Sequence, residues 1–293
     1  MDRIFQIGDF TFRLCCTQEV KPPDNFMKFV CKSDPAPPCE YTYRIEVEDQ
    51  LPRPEGKVVA RRPDLLVFRE DADEHGSRRE SRLIGIKGRA DSYAYYRETA
   101  DDRAEITLAR GSISGLHIDP VFTSLLALER RLIRKDSLVL HCAYVEYQGG
   151  AILFSAPSET GKTTQAGLWE KYRGSRTVNG DRALLGKRDG RWTAQGWPVC
   201  GTSEVCRNEA IPIRAVVMLS QAGENQAERL TPGRAFPLLY SQITVNKWNM
   251  EAHIHTMDLL EDFLGQVPVF HLGCTISEEA VSCLEKALEA QEI

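Results

Sequence analysis

Segment 151–169, which reads AILFSAPSETGKTTQAGLW, sets the strongest limit on the possible folds. An apolar run enters a loop of small and polar residues, and an amphipathic pattern with Leu168, Trp169 and Tyr172 on one face follows it. An apolar strand that passes through a short loop directly into a helix starts a strand–helix unit, in which the helix packs on a sheet. The segment therefore predicts an α/β architecture around it.

The chain after residue 117 continues this alternation of strand and helix patterns. The periodicity predicts strands at 137–147, 151–155, 176–178, 192–194, 214–219 and 267–271. It predicts helices at 162–172, 232–240, 246–264 and 278–290, and an earlier helix at 119–134 that begins with Asp119 and Pro120. Residues 117–293 are therefore expected to form a largely wound α/β domain.

Residues 1–116 show a different pattern, with short β segments separated by turn-forming residues. The predicted strands are 4–7, 9–15, 26–30, 41–47, 57–60, 65–68, 83–86, 92–97 and 104–108. The stretches 33–39, 50–56 and 70–81 are predicted loops because of their proline, glycine and charge content. This part is expected to be a β-rich N-terminal domain, a scaffold or a partner-recognition module.

Length, charge and cysteine content limit the classes of function. The 293 residues suit about two domains, at roughly 150 residues each, and the net charge of −5 disfavours non-specific binding to nucleic acid or to anionic membranes. The nine cysteines show no C-x-x-C spacing, and the first thirty residues lack the pattern of a signal peptide. No apolar stretch is long enough for a spanning helix. We therefore expect a cytoplasmic protein, and the sequence leaves oligomerisation open.

The loop in segment 151–169 is close to the phosphate-binding (Walker A) pattern G-x-x-x-x-G-K-[ST], with Ala156 in place of the first glycine. Backbone N–H groups of such a loop and the following helix N-terminus bind phosphate oxygens, Lys162 would reach the β and γ phosphates, and Thr163 would hold Mg²⁺. The predicted nucleotide-binding residues are Ala156, Pro157, Ser158, Glu159, Thr160, Gly161, Lys162, Thr163 and Thr164. A strand–turn–helix without a ligand is the alternative.

A carboxylate at the end of a neighbouring strand is the next group that such a site requires, because Mg²⁺ prefers hard oxygen ligands. Asp181 ends the short segment RTVNGD, about one helix after Lys162, and is the candidate second metal ligand beside Thr163. Asn-Gly-Asp also favours an ordinary turn, and this alternative stays open.

His141 lies on the predicted strand just before the one that enters the loop. If these two strands pair as a hairpin through Gln148, Gly149 and Gly150, His141 comes to the loop end of the second strand, where an acid–base group would be useful. A histidine buried in the core without a chemical role is the alternative reading.

These segments together resemble the HPr kinase/phosphorylase-like family, including shorter relatives encoded with bacterial peptide-modification systems. The resemblance rests on LHCAYVEYQGGAILFSAPSETGKTT, VNGDRALL and GWPVCGTSEVCRNEAIPIRAVVML, and covers roughly residues 137–290. The loop is also similar to that of the ATP-dependent phosphoenolpyruvate carboxykinases. The implied fold is a P-loop kinase domain of this type that follows an N-terminal β-rich domain in the chain.

The resemblance implies a kinase that uses ATP, or another nucleoside triphosphate, and Mg²⁺ to phosphorylate a serine or threonine hydroxyl of a small protein or peptide. Lys162 and Thr163 would bind the phosphates and metal, Asp181 would bind Mg²⁺, and His141 would assist the transfer. In the region where relatives place a closing loop, Arg207 would neutralise the transferred phosphate and Glu204 would orient the metal or acceptor, with surface salt bridges as the alternative reading for both residues.

Three residues depart from the family pattern, namely Ala156, Glu159 and Gly180. Glu159 places a carboxylate beside the phosphates, and Gly180 stands where relatives have the first of two adjacent aspartates. One alternative function is therefore a catalytically impaired nucleotide-binding or peptide-binding partner, a pseudokinase. Another is a phosphoenolpyruvate carboxykinase-like enzyme, which the short chain disfavours.

Overall fold

The computed structural model describes residues 1–35, 37–70 and 78–290. The chain forms two compact units, Met1–Leu128 and Glu129–Ile293, whereas the domain division after residue 116 stays a prediction. Two predicted loops, 33–39 and 70–81, lie partly outside the described residues. Among the described residues, no helix is both long enough and apolar enough to cross a membrane.

The first unit is built on one large sheet. Its strands are β1 (Asp2–Ile7), β2 (Phe10–Cys16), β3 (Tyr41–Glu48), β4 (Lys57–Arg62), β5 (Leu65–Arg69), β6 (Glu80–Gly85), β7 (Ser92–Ala100) and β8 (Arg103–Ala109). Across the residues that the structure describes, the strands lie in the order β1-β2-β3-β8-β7-β6-β5-β4. The sheet agrees with the β-rich pattern of the sequence, and in β2 the apolar Phe10, Phe12 and Leu14 are buried while Arg13 is exposed.

Two predictions for this part of the chain are wrong. The predicted strand at 26–30 is replaced by the short helix α1 (Asp24–Met27), which places Phe26 in an aromatic cluster with Phe5 and with Phe122 on α2 (Asp119–Ser124). The predicted helix 119–134 is interrupted at Ala127, whose φ of 46° is left-handed, so that a separate helix α3 (Leu128–Leu132) follows. A left-handed residue cannot continue a right-handed helix.

The second unit also contains one large sheet, with helices beside it. Its strands are β9 (Leu138–Tyr147), β10 (Gly150–Ser155), β11 (Arg176–Asn179), β12 (Arg182–Arg188), β13 (Arg191–Gln195), β14 (Ala210–Gln221), β15 (Gln226–Arg229) and β16 (Val269–Cys274). Its helices are α4 (Lys162–Arg173), α5 (Pro232–Tyr240), α6 (Met250–Gln266) and α7 (Glu278–Glu289). The α/β class predicted from the sequence is confirmed.

The sheet is mixed rather than largely wound. Among the described strands the order is β10-β9-β12-β13-β14-β16-β15, with β10 also paired to β14 and β11 paired to β9. The pairs β10–β14 and β14–β16 are parallel, and the remaining pairs of the sheet are antiparallel. Strands β12 and β15 are absent from the prediction. The two residues 189–190 join β12 to β13 and permit only antiparallel pairing, whereas β15 pairs antiparallel with the distant strand β16.

Helices cover both faces of this sheet. On one face Leu239 of α5 and Phe263 of α6 pack with Val216 and Met218 of β14. On the other face α4 and α7 pack with alternate residues of the same strands, in a cluster that includes Phe154, Trp169, Val217, Val281 and Leu284. The apolar stripes predicted for these helices are therefore the surfaces that hold the layers together.

Strand β9 places the candidate site residues next to one another. Along one side it pairs with β11 and β12. Along the other side it pairs with β10 as far as Ser155. Beyond that point residues 242–244 take the place of β10 and lie beside Leu140 of β9. The polar residues that leave or enter the sheet at this point therefore meet around His141.

Candidate functional site

The predicted phosphate loop connects β10 to α4 through residues 156–161. Gly161, directly before the helix, has φ 110°, a conformation that residues with a side chain rarely adopt. A Cβ atom at this position would meet nothing within 4 Å, so backbone conformation rather than lack of space explains the glycine. Glu159 is also left-handed, with φ 65°, and its side chain is exposed.

Lys162 is the first residue of α4 and is 7% exposed. Its Nζ donates hydrogen bonds to the carbonyl oxygens of Ala156 and Pro157, each at 3.1 Å, so the ammonium group lies across the loop. Burial lowers the pKa of this amine, and the nearby Asp181 carboxylate opposes that shift.

The remaining loop residues differ in exposure. Pro157 and Ser158 are exposed, Thr160 donates its hydroxyl hydrogen bond to the Pro157 carbonyl at 2.9 Å, and Thr163 and Thr164 are exposed in the first turn of α4. The first N–H groups of a helix have no partner inside that helix, and the helix dipole makes this end positive. The helix start and Lys162 form a positive surface that suits an anion, and the exposed Glu159 carboxylate is a negative charge in the same loop.

His141 lies where the predicted hairpin would place it. Strands β9 and β10 pair antiparallel through a two-residue turn at Gln148 and Gly149, and the Ser155 hydroxyl donates to the His141 carbonyl at 2.8 Å. The imidazole Nε2 lies 3.5 Å from Asp181 Oδ1, and Nδ1 lies 3.4 Å from Gln242 Oε1. The ring therefore sits between a carboxylate and an amide at the loop end of β10.

Asp181 follows β11 and is held by its backbone. Its N–H donates to Asn179 Oδ1 at 2.9 Å, and its carbonyl accepts from the Cys142 N–H at 3.0 Å. Burial pushes the pKa of the carboxyl group upward, but the His141 hydrogen bond and the charges of Arg182, His141 and Lys162 outweigh burial and bring the pKa below its usual value. Asp181 is therefore a carboxylate in a cluster of cationic and imidazole groups.

Two residues of this cluster are missing from the sequence prediction. Arg182 lies opposite His141 in the β12–β9 register, places Nε 3.3 Å from Asp181 Oδ2, and donates from Nη1 to Thr244 Oγ1 at 3.1 Å. Gln242 accepts from the His141 N–H through its own carbonyl at 3.0 Å. The signal for Arg182 was its position next to Asp181, whereas no local pattern indicates Gln242.

The segment 197–206 lies against Gly180 and Asp181. The Trp197 carbonyl accepts from Asn179 Nδ2 at 2.9 Å, and Cys206 forms an isolated bridge with Asn179, so both ends are attached to one residue. A Cβ atom at Gly180 would lie 2.0 Å from Ser203 Oγ and 2.3 Å from Ser203 Cβ. The space for a side chain at 180 is therefore filled by Ser203.

Two further predicted residues lie outside the hydrogen-bonded cluster. Arg207 is exposed, and its N–H and Nε donate to the carbonyls of Val178 and Thr177 at 3.1 and 3.2 Å, along the edge of β11. Glu204 is exposed and left-handed, with φ 55°. The contacts of His141 and Asp181 do not include either residue. Among the described residues, no group of three or more His, Cys, Asp or Glu side chains is arranged to hold a metal ion.

Comparison with known proteins gives a family and likenesses to solved structures. No curated protein matches the chain. A solved structure, the Hpr(Ser) kinase/phosphatase from Coxiella burnetii, is similar with a TM-score of 0.34 and 9% identity, over 53% of this chain and 99% of that chain. The family model described as SynChlorMet cassette protein ScmC matches residues 114–289, which include every helix from α2 to α7. The chain belongs to the ScmC family of SynChlorMet cassette proteins.

Proposed function

We propose that the second unit is a kinase that binds a nucleoside triphosphate with Mg²⁺ and transfers the γ-phosphoryl group to a serine or threonine hydroxyl of a small protein or peptide. The observation that carries this proposal is the convergence of an anion-binding loop, a histidine and a carboxylate at the end of β10. Lys162 spans the loop, His141 lies 3.5 Å from Asp181, and the charge of Asp181 acts on Lys162.

The phosphate groups would lie on the loop and on the first turn of α4. Lys162 already interacts with two carbonyl oxygens, and a phosphate oxygen would be a stronger partner because it is charged. A nucleoside triphosphate thus supplies the negative charge that this surface suits.

Thr163 and Asp181 are the residues that would hold Mg²⁺. The exposed Thr163 hydroxyl and the Asp181 carboxylate are hard oxygen groups, and Mg²⁺ typically uses one or two such protein ligands together with water and substrate phosphates. The metal would supply neutralisation of charge on the phosphates, and Asp181 and Thr163 would hold it.

Transfer breaks the bond between the γ phosphorus and its bridging oxygen and forms a bond from that phosphorus to the acceptor oxygen. The acceptor hydroxyl loses its proton, and we assign His141 to take it, because the lowered pKa of Asp181 makes that carboxylate a weak base. Asp181 would orient the imidazole, and Arg182 would stabilise charge on the transferred group.

A nucleotide-binding partner without transfer activity is the second candidate. The observation that favours it is the position of Ser203, which fills the space that a side chain at Gly180 would need, so the aspartate that relatives have at this position has no room there. In that case the loop would bind nucleotide but the γ phosphate would stay in place.

A single panel of variants tests the proposal. Millimolar Mg-ATP should raise the melting temperature of the wild type, since a ligand at 100 times its Kd contributes about 2.7 kcal/mol. Lys162→Ala should lose most of this shift. Lys171→Ala is the matched control, because Lys171 lies on the same helix and its pKa reflects contact with Tyr172 rather than with the loop.

These proteins, together with His141→Ala and Asp181→Asn, are then assayed for release of phosphate from ATP and for transfer of labelled phosphate to serine- and threonine-containing peptides. His141→Ala and Asp181→Asn should each reduce turnover by about 10²-fold or more, and His141→Ala should keep the thermal shift. A wild type that does not respond to Mg-ATP would refute the binding site. A thermal shift without turnover in any protein would instead select the nucleotide-binding partner.

A further inference from the structure

The three parallel strands of the second unit end at the same edge of its sheet. Strand β10 leads into the loop 156–161, β14 leads into residues 222–225, and β16 leads into residues 275–277. Ligands of α/β sheets characteristically bind beyond the carboxyl ends of parallel strands. The segments after β14 and β16 therefore belong to the same edge as the phosphate loop.

The end of β16 lies directly against the first turn of α4. Gln165 is 3% exposed, and its Nε2 lies 3.2 Å from Cys274 Sγ and 3.5 Å from the Thr275 carbonyl. The Gln165 N–H donates to the Gly161 carbonyl at 2.9 Å, within the turn that closes the loop. Residues 274–277 thus lie next to the helix turn on which the phosphates of a nucleotide would rest.

Hydrogen bonds fix the segment after β16 to the segment after β14. Asn225 Oδ1 accepts from the Thr275 N–H at 2.8 Å and lies 3.2 Å from Thr275 Oγ1, which is itself 3.0 Å from Ser277 Oγ. A segment held on both sides loses little freedom when a ligand binds to it.

This fixed segment presents an apolar side chain to solvent. Ile276 is 79% exposed, which is the highest value for a large apolar side chain in the part of the chain that the structure describes. Covering an exposed isoleucine with a flat apolar group lowers the free energy, because apolar surface is removed from water. Of the parts of a nucleoside triphosphate, only the base has such a face, and the base lies at the end remote from the γ phosphate.

We propose that Ile276 is the platform for the nucleobase of the bound nucleotide, in a subsite formed by the Asn225-fixed segment 274–277. The inference rests on the proposed function, because it requires the phosphates to lie on the loop and on α4. It assigns the base to the β16 side of α4, away from the His141 and Asp181 cluster.

The test compares a ligand that has a base with one that lacks it. Titration calorimetry measures Mg-ATP and Mg-tripolyphosphate binding to the full chain and to Ile276→Ser, a neutral change at an exposed position. We expect Mg-ATP affinity to fall about tenfold and Mg-tripolyphosphate affinity to stay unchanged. Ile254→Ser on α6, where the isoleucine is 47% exposed, is the control and should leave both affinities unchanged.

The outcomes separate this inference from the proposed function. Unchanged Mg-ATP affinity in Ile276→Ser would overturn the base subsite while leaving nucleotide binding intact. An equal loss for both ligands would also overturn it, because Ile276 would then act through the shape of the loop. Absence of binding of either ligand to the wild type would refute the proposed function itself, and the base subsite with it.

Discussion

At the scale of single residues, Gly180 and Ser203 have to be considered as a pair. The glycine lies directly before Asp181, and the serine occupies the space that a side chain at 180 would need. Ser203 Oγ also donates to the Cys200 carbonyl at 2.8 Å and accepts from the Val205 N–H at 3.2 Å, so its position is fixed. Adding a carboxylate at 180 would therefore require this segment to move.

We expect Gly180→Ala to lower the free energy of unfolding by about 1 to 3 kcal/mol, the usual cost of overpacking. Ser203→Gly should relieve most of this cost in the double variant, because it removes the two atoms nearest to a Cβ at 180, and the next nearest, the Cys200 carbonyl oxygen, is 3.1 Å away. Ser203→Ala should not, since its Cβ would remain 2.3 Å away. Denaturant unfolding of these variants, read as double-mutant cycles, measures the coupling. Additive effects would show that the two positions are independent.

Glu159 combines an exposed carboxylate with a left-handed backbone inside the phosphate loop. Glu159→Gly should raise stability by up to about 1 kcal/mol through relief of the backbone, and should tighten Mg-ATP binding a few-fold through loss of the charge. Glu159→Gln keeps the backbone requirement and removes only the charge, so it should gain affinity without gaining stability. Calorimetry and urea unfolding separate the two effects. Weaker ATP binding by both variants would mean that the carboxylate has a useful contact.

At the scale of secondary-structure elements, the β9–β10 hairpin sets the distance between His141 and the loop. Its turn residues have φ 53° at Gln148 and 79° at Gly149, the left-handed pair that matches the twist of a two-residue hairpin. Arg214 Nη1 donates to Gln148 Oε1 at 3.2 Å, so the turn is also attached to β14.

Gly149→Ala should lower stability by about 1 to 2 kcal/mol, because the new Cβ meets nothing within 4 Å and the cost is conformational only. Gly167→Ala is the matched control on α4. Its Cβ is equally unobstructed, but its backbone is helical, so it should raise stability by about 0.5 to 1 kcal/mol. Thermal unfolding of the two variants should therefore shift in opposite directions. Equal shifts would contradict the assigned turn.

Across the whole molecule, local sequence patterns predicted which segments form strands and helices better than they predicted which elements pack against one another. The apolar run of β10 and the amphipathic stripe of α4 follow from short-range periodicity, and both are where the sequence places them. The strand predicted at 26–30 is wrong, and Phe26 lies on a helix where it packs against Phe5 and Phe122. Tertiary contacts of this kind override local propensity.

The candidate site shows the same limit. Lys162, Asp181 and His141 carry motif signals, and the hairpin rule places His141 at the loop. Gln242 and Thr244 reach the site only because residues 242–244 take the place beside β9 that β10 leaves. Pairing over such a distance in sequence depends on the complete sheet and leaves no trace in local periodicity.

The two partners of β10 imply an order of events during folding. On one side Ser155 lies opposite Cys142, which is close to it in sequence. On the other side it lies opposite Met218, in a parallel pairing that requires a long loop to close. Local hairpins form quickly and long-range pairings slowly. During synthesis, a chain that has emerged only to about residue 160 already contains both strands of the hairpin that places the histidine beside the loop. The other side of β10 is covered only once β14 and β16 have been made. A chain truncated before residue 269 would therefore lack β16 and leave the phosphate loop without the segment that packs against α4.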